Sequence, residues 1–170
     1  MKKGFTLSEV LITVLIMMVL VSMAVPTYEK MIEKSRLSEA RTMLKRIYES
    51  KMRILDNMDK TTYDGSFGFD NLDYRFECKS TIPVNGHIVA CSSDDFMYWM
   101  APVNVKPTSA GVCAVRLKGD GAGISFTYEY DDDDKEMKFR CDGGRSAKCK
   151  TMYGMANGSV PQCSATVPGN

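Results

Sequence analysis

The sequence predicts an α+β fold in which one long N-terminal helix packs on an antiparallel β-sheet. A helical pattern runs from Phe5 to about Met58; its first half is apolar on all sides and its second half is two-faced. Further along the chain, short alternating runs are separated by turns rich in Gly and Asp, which is typical of antiparallel strands.

Composition limits the class of protein. A chain of 170 residues holds one domain, or one domain and a membrane segment. Its 44% hydrophobic and 25% charged residues are ordinary for a globular protein, and its formal net charge is +1. This balance does not indicate bulk nucleic-acid binding.

Residues 5–25 form an apolar run that contains one carboxylate, Glu9. As a helix the run is roughly 31 Å long, about the thickness of the bilayer hydrocarbon. A bare carboxylate in hydrocarbon is costly, so Glu9 needs a partner. An ordinary signal peptide cleaved after Ser22-Met23-Ala24 is one alternative, and a plain single-span anchor is another. Neither explains Glu9.

The leader suggests a third interpretation. Lys2-Lys3-Gly4 followed by Phe5-Thr6-Leu7-Ser8-Glu9 resembles the leader of type IV pilins and of the pseudopilins of type II secretion. The resemblance implies that a prepilin peptidase cuts after Gly4 and N-methylates Phe5. Glu9 is then the fifth residue of the mature chain, where this family carries an acid.

Cleavage at Gly4 would create a partner for Glu9. The freed amine of Phe5 is a cation one helical turn from Glu9, and the same carboxylate can also reach the amine of a neighbouring subunit. Pairing removes two isolated charges from an apolar environment. We therefore expect Glu9 to set the register of helices packed side by side.

Pro26 closes the apolar run and is the second predicted assembly residue, because proline frees a backbone carbonyl. Many pilins carry a glycine between the acid and the proline, and this chain does not. Local melting of the helix would then depend on Pro26 alone.

The helical pattern continues after Pro26 as an amphipathic half, and the stretch from Val25 to Ala40 also resembles pilins. The predicted buried stripe comprises Ile32, Ala40, Met43, Leu44, Ile47, Ile54, Leu55 and Met58. We assign the charged side chains, including Glu33, to the solvated face. A solvated coiled-coil stalk is the alternative, but the stripe shows no sustained heptad.

The remainder of the chain is predicted to be the sheet. Predicted strands cover Leu72–Cys78, His87–Cys91, Phe96–Met100, Val112–Leu117, Ile124–Tyr130 and Met137–Cys141. A turn is predicted at Pro83-Val84-Asn85-Gly86. We expect four segments: a leader over 1–4, a membrane and filament-core half-helix over 5–25, an amphipathic half-helix over 26–58, and a β head over 59–170.

All six cysteines lie in the head, which predicts disulfides formed in an oxidising compartment. They are Cys78, Cys91, Cys113, Cys141, Cys149 and Cys163. Six cysteines allow 15 pairings, so the connectivity stays open. The last stretch, 142–170, is polar, and we expect bridges through Cys149 and Cys163 to hold it.

Other charged or reactive groups predict no catalytic or metal site. The run Asp131 to Asp134 resembles half of a calcium loop but lacks the spaced ligand pattern, which favours a solvated turn. His87 is the single histidine, which argues against zinc. A loose basic cluster near the C-terminus carries no specific spacing. We expect no enzyme activity and no cofactor.

The family resemblance implies a function. The subunit waits in the inner membrane, is extracted by the inner-membrane assembly machinery, and polymerises with identical subunits and minor pilins into a surface filament. A type IV pilin is favoured over a pseudopilin, which would stay periplasmic. A secreted or singly anchored disulfide-rich binding domain is the alternative from another class. The role of the filament in motility, adhesion, DNA uptake or secretion stays open.

Overall fold

The computed structural model describes residues 4–57, 68–84, 87–100, 111–131, 134–143, 148–156 and 158. Helix α1 spans Leu7–Asn57, and at 51 residues it is about 77 Å long. A short helix, α2, spans Lys148–Tyr153. The strands are β1 Ser80–Val84, β2 His87–Ser92, β3 Phe96–Met100, β4 Val112–Arg116, β5 Ser125–Asp131 and β6 Glu136–Asp142.

The strands form one six-stranded sheet in sequence order, β1-β2-β3-β4-β5-β6, and every neighbouring pair is antiparallel. Each strand is therefore joined to the next by a local connection, as in a meander. The predicted α+β fold, with a long N-terminal helix on an antiparallel sheet, is confirmed.

The second half of α1 packs on β4 and β5 because one of its faces is apolar. Ala40, Leu44 and Ile47 are fully buried there, as the stripe predicts. The ring of Tyr48 meets Tyr128 of β5 edge-on, with centroids 5.6 Å apart. Met58 of the predicted stripe lies outside the described residues.

The prediction of a strand over Leu72–Cys78 is wrong. This segment contacts α1 and is held by side chains instead of by a strand ladder. Arg53 of α1 donates to Asp73, and Ser50 accepts a hydrogen bond from the Asp73 backbone N–H at 3.2 Å. Phe76 packs on Tyr98 at 5.2 Å. The alternation in sequence therefore comes from an irregular segment with one apolar side.

The strand at this edge of the sheet begins later than predicted and includes residues assigned to a turn. β1 contains Pro83, and the register shifts between Ile82 and Pro83. Proline is tolerated on an edge strand because its missing N–H can face away from the ladder. Val84, a residue of the predicted turn, is the last residue of β1 and pairs with His87. Asn85 and Gly86, the rest of that predicted turn, lie outside the described residues.

Candidate assembly site

The N-terminal half of α1 lies outside the head. Every side chain described from Gly4 to Met31 is exposed, including Phe5 at 89% and Leu7 at 83%. By length and composition α1 can cross a membrane. Gly4 has no heavy atom within 4 Å of where a Cβ would stand. Among the residues that the structure describes, nothing packs against the two that flank the predicted cleavage site, Gly4 and Phe5.

The hydroxyl groups in this half-helix are satisfied within the helix itself. Thr13 donates to the carbonyl of Val10 at 2.8 Å, and Ser22 donates to that of Val19 at 2.7 Å. These back-bonds remove the cost of placing the hydroxyls in hydrocarbon. Glu9 is left as the charged side chain in the apolar run, as predicted.

Glu9 and Thr6 together cap the start of α1. The Thr6 backbone N–H donates to Glu9 Oε2 at 2.8 Å, and the Thr6 hydroxyl donates to the same oxygen at 2.7 Å. In return the Glu9 N–H donates to Thr6 Oγ1 at 3.3 Å. This reciprocal arrangement is a capping box. Its sequence signal is Thr-x-x-Glu directly before an apolar run.

Pro26 does not interrupt α1, which continues unbroken from the apolar half into the head. Proline has no N–H, so the carbonyl one turn earlier, at Ser22, loses its helical donor. The neighbouring carbonyl of Met23 accepts a hydrogen bond from the Thr27 hydroxyl at 3.2 Å. The Ser22 carbonyl, which has lost its helical donor, lies in the exposed part of α1 outside the head.

A buried ion-pair network, which we call the neck network, joins α1 to the head next to this point. It consists of Glu33, Arg36, Asp95, Arg116 and Tyr153. The fully buried guanidinium of Arg116 donates to both carboxylate oxygens of Glu33, at 3.2 and 2.9 Å, and to Asp95 Oδ1 at 2.7 Å. Arg36 and the Tyr153 hydroxyl also donate to Glu33.

The prediction that Glu33 lies on the solvated face is therefore wrong. Its side chain can be buried because two guanidinium groups neutralise its carboxylate and the Tyr153 hydroxyl adds a third donor. Burial alone would raise the pKa of Glu33, but the hydrogen bonds and charge of Arg116, together with the bonds from Arg36 and Tyr153, hold it below its ordinary value. Burial and the nearby charge of Glu33 raise the pKa of Tyr153.

Two glycines in the β4–β5 turn allow the network to close. Gly119 has φ +73°, a conformation that side chains rarely adopt. A Cβ on Gly121 would lie 2.6 Å from the Tyr153 hydroxyl and 3.3 Å from Glu33 Oε2. The turn backbone therefore approaches the network too closely to carry side chains at these positions.

Disulfides brace the head on both sides of the core. Cys78 is bonded to Cys91, which fixes the irregular segment to β2. Cys141 is bonded to Cys149, which fixes α2, and with it Tyr153, to β6. Cys113 is also disulfide-bonded. Cys163 lies outside the described residues.

The described part of the aspartate run is engaged with cations of the protein. Asp131 accepts from Arg140 at 2.6 Å and pairs with Lys138 at 2.9 Å. Lys138 also pairs with Asp134. Asp132 and Asp133 lie outside the described residues. Within the described ranges, no group of three or more His, Cys, Asp or Glu is arranged to hold a metal ion.

Comparison with known proteins agrees with the geometry of the N-terminus. No curated protein and no solved structure matches the chain. Residues 1–25 match the family model described as the prokaryotic N-terminal methylation motif. The chain thus carries the signal of type IV prepilins and pseudopilins, followed by an exposed apolar helix and a helix-on-sheet head.

Proposed function

We propose that this protein is a structural subunit of a type IV pilus that polymerises through the apolar half of α1. The observation that carries the proposal is the methylation motif at residues 1–25, placed on a helix whose first half is exposed and is not packed against the part of the head that the structure describes. A motif of this type indicates a structural protein and not an enzyme.

The apolar half-helix suits two environments in succession. Its length matches a membrane, which fits anchoring before assembly. The same surface can be buried by identical helices in a filament core, where burial of large apolar side chains stabilises association. The proposed partners are a prepilin peptidase, the inner-membrane assembly machinery, identical subunits and minor pilins.

The N-terminus of the mature protein tests the proposal. We expect the intact mass and the N-terminal sequence to show a chain that begins at N-methylated Phe5. A chain that begins at Val25 would identify an ordinary signal peptide and favour the exported disulfide-rich binding domain. A chain that retains residues 1–4 would favour a plain anchor.

The role proposed for Glu9 has its own test. Glu9→Ala should be processed and held in the membrane but should enter filaments poorly, because the amine of Phe5 then has no carboxylate partner. Glu9→Asp is the matched control, since it keeps the charge. Normal filaments from Glu9→Ala would exclude charge pairing as the assembly device.

A pseudopilin of a type II secretion system is the second candidate, because the methylation motif is shared by both classes. The disulfide-braced head favours the pilus. Fractionation separates the two: a pilin is recovered with filaments sheared from the cell surface, whereas a pseudopilin is retained in the periplasm.

A further inference from the structure

A groove of about 640 Å³ lies where α1 enters the head. One wall is α1 from Pro26 to Arg36, and the other wall is formed by the β4–β5 turn and α2. Apolar surface comes from Pro26, Ile32 and Met152. Four charged residues outside the neck network also line the groove: Glu29, Lys30, Asp120 and Lys148. We call this feature the neck groove.

The four charges of the neck groove are not compensated within the subunit. All four residues are exposed, and among the residues that the structure describes none of their side chains forms an ion pair. The ammonium of Lys148 donates to the backbone carbonyl of Asp120 at 2.8 Å, which ties α2 to the β4–β5 turn and leaves the positive charge in place. The groove therefore offers two cations and two carboxylates to a partner.

The neck groove lies at the level of the membrane headgroups. The apolar run ends at Val25, and the groove begins at the next residue, Pro26. The headgroup layer adds roughly 5–7 Å on each side of the hydrocarbon, and an α-helix rises about 6 Å from Pro26 to Lys30. Tyr28 lies within this layer and is 65% exposed, which suits a ring that anchors a helix at the interface. A subunit whose apolar run spans the membrane therefore places the groove against phospholipid headgroups.

A zwitterionic headgroup matches both signs of charge in the groove. A phosphoethanolamine headgroup carries a phosphate and a primary ammonium that are joined by two carbons. Lysine binds phosphate as a point charge, and a carboxylate accepts strong hydrogen bonds from an ammonium. A choline headgroup has no N–H to donate, and a glycerol headgroup has no cation for the carboxylates. The ethanolamine headgroup is therefore the one that satisfies all four groups.

We propose that, before assembly, the neck groove holds the headgroup of one ethanolamine phospholipid. Lys30 and Lys148 bind its phosphate, and Glu29 and Asp120 accept from its ammonium. The acyl chains follow the exposed apolar surface of α1 into the membrane. The inference rests on the proposed membrane anchoring of the subunit, and the lipid leaves when the subunit is extracted into a filament.

Native mass spectrometry of the full chain tests the inference. The chain is reconstituted in nanodiscs with equal amounts of phosphatidylethanolamine, phosphatidylglycerol and phosphatidylcholine, and the lipid that stays bound after release is identified. We expect the wild-type chain to retain one phosphatidylethanolamine. Lys30→Gln with Lys148→Gln should lower the retained fraction about fivefold or more, because both phosphate contacts lose their charge. Glu29→Gln with Asp120→Asn should abolish the preference for ethanolamine over choline.

Matched variants make the result specific. Lys45→Gln with Arg75→Gln removes two positive charges from exposed residues outside the groove and should leave lipid retention unchanged. Lys30→Arg with Lys148→Arg keeps both charges and should keep the lipid. Thermal unfolding of each full-length variant in detergent reports whether the head folds. If loss of the Lys148 bond to Asp120 unfolds the head, Lys30→Gln alone takes the place of the double variant.

Four outcomes would overturn the inference: no lipid retained by the wild-type chain, equal retention of the three lipids, a preference for phosphatidylglycerol, or unchanged retention in the lysine variant. A wild-type chain that forms dimers without bound lipid would also overturn it, because a second copy would then fill the groove. Failure of the proposed anchoring gives a different result, since the wild-type chain would not enter the nanodiscs at all.

Discussion

Arg116 and Glu33 are 83 positions apart in sequence, yet the buried guanidinium of one donates to both carboxylate oxygens of the other. This pair attaches the long helix to the last residue of β4. Glu33 lies in the first turn of α1 that packs against the head, directly after the exposed residues that end at Met31. The pair is therefore placed to hold the apolar half-helix in a constant direction relative to the sheet.

The Arg116–Glu33 pair should be costly to break from one side only. Arg116→Met leaves the carboxylate of Glu33 buried, and we expect a loss of about 3–5 kcal/mol in the free energy of unfolding. Glu33→Met with Arg116→Met removes both charges and should cost less than Arg116→Met alone. Urea unfolding of the full chain in detergent measures this. A double variant less stable than the single would contradict the assignment of Glu33 as the main partner.

The contact between Gly121 and Tyr153 predicts a destabilising clash. Gly121→Ala would place a Cβ 2.6 Å from the Tyr153 hydroxyl, and we expect a cost of about 1–3 kcal/mol. Tyr153→Phe in the same chain should recover part of it by removing the oxygen. Gly158→Ala is the matched control, because its nearest atom is 3.8 Å away. Equal melting temperatures for the two alanine variants would refute the close approach.

Lys51 predicts a pH dependence of stability. This side chain is fully buried on α1, and burial lowers its pKa to about 8. Between pH 8 and 10 the unfolded chain then binds more protons than the folded one, so stability should rise with pH in this window. Lys51→Met should remove the rise. Urea midpoints measured at pH 7.5 and 9.5 check this, and a wild-type midpoint that falls would be the contrary result.

The capping box predicts that Thr6 controls the start of α1. Thr6→Val loses the hydroxyl that bonds Glu9, and we expect the first turn to lose about 1 kcal/mol of stability. Thr6→Ser keeps the hydroxyl and is the control. Amide hydrogen exchange of residues 7–10 in micelles should speed up for Thr6→Val alone. Unchanged exchange would show that Glu9 does not cap the helix through Thr6.

Local patterns predicted most of the fold. The apolar run of residues 5–25 and the short apolar run of Phe96–Met100 depend on neighbouring residues, and the structure places α1 and β3 where these patterns predict them. The Leu72–Cys78 alternation does not produce a strand, because the segment is held at Asp73 by residues far away in sequence. Ser50, 23 positions earlier, accepts from the Asp73 backbone N–H, and Arg53, 20 positions earlier, donates to the Asp73 carboxylate.

The neck network cannot be predicted from local sequence for the same reason. A charged residue on an amphipathic helix is normally solvated, and no local pattern links Glu33 to Arg116 or to Tyr153. The Thr6–Glu9 box is different, since both residues lie within one turn and the motif can be read directly. The position and spacing of residues within one helix or strand can be read from the sequence. Which charged residues of different elements pair with each other can be recognised only once the fold is known.

The carboxylate of Glu33 is compensated by residues that follow it by 83 and by 120 positions. A growing or truncated chain that lacks α2 therefore has Glu33 in place before its Tyr153 donor exists. The meander itself forms by local pairing and needs little of the later chain. The neck network is thus complete only when the chain has folded through to Tyr153, and only then is α1 held to the head with every donor to Glu33 in place.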